Sequence, residues 1–177
     1  MRQRTLTSLL AAVVLGAAAG CSSGGQEREF AIPKNLCGVA VPSGPLARIL
    51  PPTGKSLDQR KGTPSAQAVT GCEVTVDGDV VLTVEGERIK SGRSAWIIAS
   101  YDHRIGHVKS GDGGAIAYVG RAAVSVVPCP REGDRQEAVS TYIRTLKPWR
   151  QDESAMRQLI RGYTASLKTL QPCRTGS

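Results

Sequence analysis

Apolar and polar positions follow different periods along the chain, and each change of period predicts a different element. Leu6 to Ala19 is a nearly continuous apolar run, broken by Thr7, Ser8 and Gly16 and preceded by Arg2 and Arg4. It is shorter than the roughly 20 residues of a permanent membrane helix, and its basic-then-apolar layout is that of an export signal, residues 1–20. Residues 21–31 are small, polar and charged. They read as a tether, with a reach of about 15 to 20 Å as a flexible coil. Ser43-Gly44-Pro45 followed by Leu46, Ile49 and Leu50 predicts a short helical turn, stopped by Pro51-Pro52. Residues 54–67 are polar and basic without a period and read as an exposed loop.

The clearest strand pattern comes next. Cys72, Val74 and Val76 alternate with Glu73, Thr75 and Asp77, and Val80, Leu82 and Val84 resume the alternation beyond Gly78. Asp77-Gly78 supplies the positive φ of a tight turn, so a hairpin is expected. Residues 94–107, with the apolar run Trp96-Ile97-Ile98, fit strand and helix equally. Ser110 to Gly114 is a turn cluster; Ala115 to Val119, Ala122 to Val127 and the alternation Val139, Thr141, Ile143 predict three more strands. Met156, Leu159, Ile160, Tyr163, Leu167 and Leu170 then fall at helical spacing, with Asp152 as N-cap and Pro172 as stop. Arg157, Arg161 and Lys168 flank that stripe, where their stems can cover core. Strands followed by a closing helix predict an α+β fold, an antiparallel sheet of about five strands with the C-terminal helix on one face. A chain of 177 residues, less a 20-residue leader, suffices for one domain, read as residues 32–177.

The end of the apolar run offers two processing sites. Ala17-Ala18-Ala19 suits ordinary signal peptidase and would release a soluble protein. Ala18-Ala19-Gly20-Cys21 resembles a lipobox, in which the Cys21 thiol takes a diacylglycerol and becomes the new N-terminus. Ala18 stands where Leu is usual, which keeps the first route open, while the small polar residues after Cys21 favour the second. The cysteine count points the same way. Five cysteines are an odd number for an exported chain; lipidating Cys21 leaves Cys37, Cys72, Cys129 and Cys173 to pair outside the cytoplasm. Of the three possible connectivities the sequential one is expected. Cys37–Cys72 ties the N-terminal segment to the first strand, and Cys129–Cys173 pins the end of the helix to the strand it covers. Crossed pairing would need the N-terminal segment to lie over the later hairpin.

Net charge is +8, and loss of Arg2 and Arg4 lowers it by two. A basic surplus beside a lipid anchor suits anionic headgroups or wall polymers, although a solvated Arg-rich surface accounts for it as well. With 4% aromatic residues there is little stacking platform for nucleic acid. Chemistry is sparse. His103 and His107 would share a helix face at i, i+4, but Gly106 and Lys109-Ser110-Gly111 argue against a helix and no third ligand is indicated, so no metal or other cofactor is expected. Asp102 and His103 could form two thirds of a hydrolytic triad, yet no Gly-x-Ser-x-Gly marks a nucleophile. The Asp-Gly turns at Asp77 and Asp112 fall far short of the six to eight oxygens calcium takes. Glu85 and Glu87 read as solvated, and Trp96 and Tyr101 as core.

Taken together, the lipobox, Leu36-Cys37-Gly38, Leu50-Pro51-Pro52 with Gly54, Cys72 ahead of Val76-Asp77-Gly78, Cys129 after a second hairpin, and a terminal helix running into Cys173 resemble small exported lipoproteins common in Streptomyces and related actinobacteria. A more distant likeness is to mycobacterial cell-envelope lipoproteins. The resemblance spans most of the chain after the leader and implies a lipid-anchored address on the outer face of the cell membrane. It carries over no catalytic residue. The expectation is a non-catalytic binding or interaction module that meets an envelope protein, anionic lipid or wall polymer through the sheet face left open by the helix, with a small hydrolase using Asp102 and His103 as the alternative.

Overall fold

The structure is a computed structural model and describes residues 28–62, 68–130, 137–146 and 150–173. The leader, Cys21 and most of the assigned tether lie outside those residues. A two-stranded ribbon, β1 (Asn35–Leu36) and β2 (Val39–Ala40), leads into helix α1 (Ser43–Ile49). Then come β3 (Leu57–Lys61), β4 (Ala68–Val76) and β5 (Asp79–Lys90). A crossover follows, made of a helical turn α2 (Ala95–Ile97) and a π-helical turn Ile98–Asp102. The chain ends with β6 (Lys109–Gly111), β7 (Ile116–Val119), β8 (Ala122–Pro128), β9 (Glu137–Thr145) and helix α3 (Glu153–Thr169).

The main sheet is antiparallel, in the order β3-β4-β5-β9-β8-β7-β6. It has seven strands where the sequence pattern predicts about five. The five expected strands are the inner ones, and the two extra are the edges. An edge strand has one neighbour and little burial, so Leu57–Lys61 and Lys109–Gly111 need no apolar alternation to pair. The expected loop over residues 54–67 therefore contains a strand, and the turn cluster at Ser110 begins as one.

The β4–β5 hairpin turns on Asp77 and Gly78, both at positive φ, as Asp-Gly allows. The Asp77 carboxylate also accepts from the backbone N–H groups of Lys55 and Ser56, which hold it below the usual carboxylate range. A register shift between Val74 and Thr75 then brings Val81 inward beside Leu82, so the simple alternation expected after Gly78 is broken by a bulge.

α3 begins where Asp152 accepts from the Ala155 N–H at 2.8 Å. It lays Ala155, Met156, Leu159, Ile160, Tyr163 and Leu167 on one face of the sheet, against Val74, Leu82, Val84, Ala123, Val139 and Ile143. α1 adds Leu46 and Ile49 to this core. Cys37 is bonded to Cys72 and Cys129 to Cys173, so one disulfide fastens the β1–β2 ribbon to β4 and the other fastens the chain after α3 to the end of β8. The domain starts earlier than residue 32. Phe30 is buried, and the Arg28 guanidinium donates to the carbonyls of Ala47 in the last turn of α1 and of Leu50 and Pro51 just beyond it. Among the described residues no helix is long and apolar enough to cross a membrane.

Candidate functional site

The opposite face of the sheet is finished differently. Its β7–β8 half is covered by the crossover, whose Ala95, Ile98, Ala99 and Ile105 pack on Ala117, Ala122, Val124 and Val126. The face expected to be open is thus only half open. Small side chains on both sides let the crossover lie close, and the inward positions of its turns are already filled. Trp96 and Tyr101, expected in the core, are therefore turned outward, 41% and 68% exposed, and meet edge to face with ring centroids 6.1 Å apart.

Where the crossover stops, its last turn drops His103 onto Tyr142 of β9. The two rings stack at 3.8 Å between centroids and 18° between planes. Arg104 follows at φ 51° and His107 at φ 55°, left-handed positions that end helical continuation. The two imidazoles therefore never share a helix face, and His107 stands exposed. Burial against the sheet holds His103 below the ordinary imidazole value, while Glu85, Glu87 and Asp102 pull the other way. Burial also pushes the Tyr142 phenol up.

A cleft of about 340 Å³ opens beside the stack, lined by Thr70, Gly71, Glu85, Gly86, Glu87, Ser140 and the two rings. The register explains its make-up. Glu85 lies directly across from Tyr142 and Glu87 across from Ser140, on the face away from α3. Gly71, across from Glu85 on β5, has no side chain to fill the hollow. A second cleft of about 270 Å³ lies on the far side of the stack, among Arg104, Arg121, Arg144 and Thr145. The Arg144 guanidinium donates to the Thr83 hydroxyl, approaches Glu85 at 3.8 Å and sits 5.9 Å from the Tyr142 ring centroid.

Asp102, the would-be partner of His103, points elsewhere. Both its oxygens accept from Arg93 at 2.7 Å, and this fork lowers the carboxyl and raises the guanidinium. Glu85 and Glu87 are exposed as expected, but they line a cleft rather than a plain surface. Tyr142, Ser140 and Arg144 were not marked as site residues by any motif. Their signal was the strand period itself: with Val139, Thr141 and Ile143 inward, the alternate residues of β9 had to face the other side. Among the described residues no group of three or more His, Cys, Asp or Glu side chains could hold a metal ion. No protein-family model, curated protein or solved structure matches the chain.

Proposed function

We propose that the protein is a membrane-anchored, extracytoplasmic binding module of the cell envelope, held by a lipid on Cys21 and presenting the clefts around His103 and Tyr142 to a ligand. The cysteine balance carries this reading. Four of the five cysteines are consumed in two disulfides, as suits an oxidising compartment, and the one left is Cys21, directly behind the apolar leader. Arg28 lies seven residue steps beyond Cys21, at most about 25 Å of extended chain. So short a link keeps the domain against the bilayer, where its basic surplus meets anionic headgroups or wall polymers.

A hydrolase using Asp102 and His103 is the second reading, favoured by His103 and the buried Ser140 lining one cleft. It is the weaker, because a triad needs a carboxylate to orient the imidazole and Asp102 is engaged by Arg93. Intact-mass analysis of protein extracted from membranes is expected to find a diacylglyceryl group on Cys21, and Cys21→Ser to accumulate as precursor or be cut after Ala19 and shed. Wild-type protein recovered mainly in soluble form, beginning at Gly20, would overturn the anchor. Turnover of p-nitrophenyl acetate, lost in both His103→Ala and Ser140→Ala, would favour the hydrolase instead.

A further inference from the structure

The two clefts on either side of the His103–Tyr142 stack carry opposite charge. Glu85 and Glu87 line the first, with no Lys or Arg among its described lining residues. Arg104, Arg121 and Arg144 line the second, with no Asp or Glu among its described lining residues. Solvated surface charges are ordinarily interspersed, since like charges repel and opposite ones attract. Here the two signs meet at Glu85 and Arg144, 3.8 Å apart. Among the described residues neither Glu87 nor Arg104 forms an ion pair.

β9 sets the separation. Ser140 lines the acidic cleft, Tyr142 forms the wall, and Arg144 lines the basic one. Four residues of strand span about 13 Å.

We propose that the paired clefts bind a small linear zwitterion of the class of a short peptide with free termini. Its ammonium lies against Glu85 and Glu87, its carboxylate lies among Arg104, Arg121 and Arg144, and its backbone passes over the edge of the ring stack. Guanidinium groups suit a carboxylate because their forked N–H donors match its two oxygens. Length is the discriminating property. An extended peptide advances at most about 3.3–3.6 Å per residue, so three or four residues reach from one cleft to the other. A free amino acid or a zwitterionic lipid headgroup, with charges a few bonds apart, reaches one cleft alone. This deepens the binding-module reading and rests on it for the clefts, not for the lipid anchor.

The test titrates glycine and its oligomers from two to five residues into full-length protein purified from membranes in detergent, following the His103 imidazole by NMR. N-acetyl-triglycine and triglycinamide, each lacking one terminal charge, run alongside. Triglycine or tetraglycine is expected to bind at least about tenfold tighter than diglycine or either capped form, the loss expected when one charge-assisted contact disappears. Glu87→Gln is expected to weaken triglycine and leave N-acetyl-triglycine unchanged; Arg104→Gln is expected to weaken triglycine and leave triglycinamide unchanged. Both side chains are exposed, so unaltered thermal midpoints confirm that the variants fold. No binding at millimolar concentration across the series, equal affinity of capped and free peptides, or response to one variant alone sinks the proposal. The same titration on Cys21→Ser separates this outcome from the fate of the anchor, since peptide binding there stands or falls without the lipid.

Discussion

The two faces of the sheet are packed with different materials. Under α3 lie long side chains, Met156, Leu159, Ile160 and Tyr163, fully buried against Leu82, Val84 and Ile143, and a disulfide fastens the chain beyond the helix. Under the crossover the contact is mostly Ala and Val, Ala95 and Ala99 against Ala117, Ala122 and Val124, and Ile98 is the largest side chain buried there to completeness. Buried apolar area stabilises in proportion to its extent, so the first face carries the greater share of the folding free energy. The second is thin, ends halfway across the sheet, and leaves at its rim the His103 stack and the charged clefts. Charges and ring edges fit where the protein is not committed to closing a core.

Leu159→Ala, on the strong side, is the largest expected effect: a loss of about 2–5 kcal/mol in denaturant unfolding, with amide protection falling across the whole sheet. Arg157→Ala, one turn face away, is expected to cost much less. Its guanidinium lies 5.7 Å from the Tyr118 ring centroid, which leaves a modest packing and cation–π contribution of about 0.5–1 kcal/mol. On the thin side, Ile98→Val is expected to cost about 0.5–1.5 kcal/mol and to speed hydrogen exchange in residues 95–105 ahead of the sheet. If Ile98→Val lowered protection everywhere, as Leu159→Ala does, the two faces would be one cooperative unit and the contrast between them would fail.

A smaller effect of opposite sign tests the strong face from within. Thr141 of β9 and Ser125 of β8 are paired across the strands on the side of α3, with hydroxyl oxygens that are buried and have no hydrogen-bond partner among the described residues. An unpaired buried hydroxyl has lost its water for nothing in return. Thr141→Val, which keeps the shape, is expected to raise stability by about 0.5–1 kcal/mol in urea titration. A loss of similar size would mean that an enclosed water satisfies these oxygens.

How much of this was legible in the chain follows burial. The inner strands, the Asp77-Gly78 hairpin, the α3 stripe and its Asp152 cap all announce themselves, because a half-buried element must show its period and a cap needs a particular side chain. Leu57–Lys61 and Lys109–Gly111 were silent because edge strands bury too little to impose alternation. The outward turn of Trp96 and Tyr101 was missed for another reason. Periodicity cannot decide which of two apolar sides of a short helical turn faces the sheet, and here the alanines won. The clefts were beyond reach of any motif. Glu87 and Ser140 are 53 positions apart and meet through strand register, and His103 arrives from a third segment. Its neighbour Asp102 looked like its partner by adjacency, yet Arg93 holds it.

The finest test of the contrast is how the thin face responds to pH through His103. The ring is half-buried against Tyr142, and that burial is the leading cause holding its pKa below the ordinary value of about 6.5. Glu85 and Glu87 from β5 and the adjacent Asp102, though it is turned to Arg93, all favour the protonated ring; Arg144 from β9 opposes them. Burial prevails, so the unfolded chain takes up a proton on this histidine at a higher pH than the folded one does. The stability linked to His103 is therefore fully present above the unfolded value and is lost as the pH falls toward the folded one. The measurement is urea unfolding of the wild type and of His103→Gln between about pH 5 and 8. The wild type is expected to lose more stability on acidification than the variant, with the gap closing toward low pH. A gap that widened in acid would mean that Glu85 and Glu87 govern the ring instead. The cleft would then tighten around a protonated imidazole, and the ammonium site argued from those two carboxylates would already be filled by the protein's own cation.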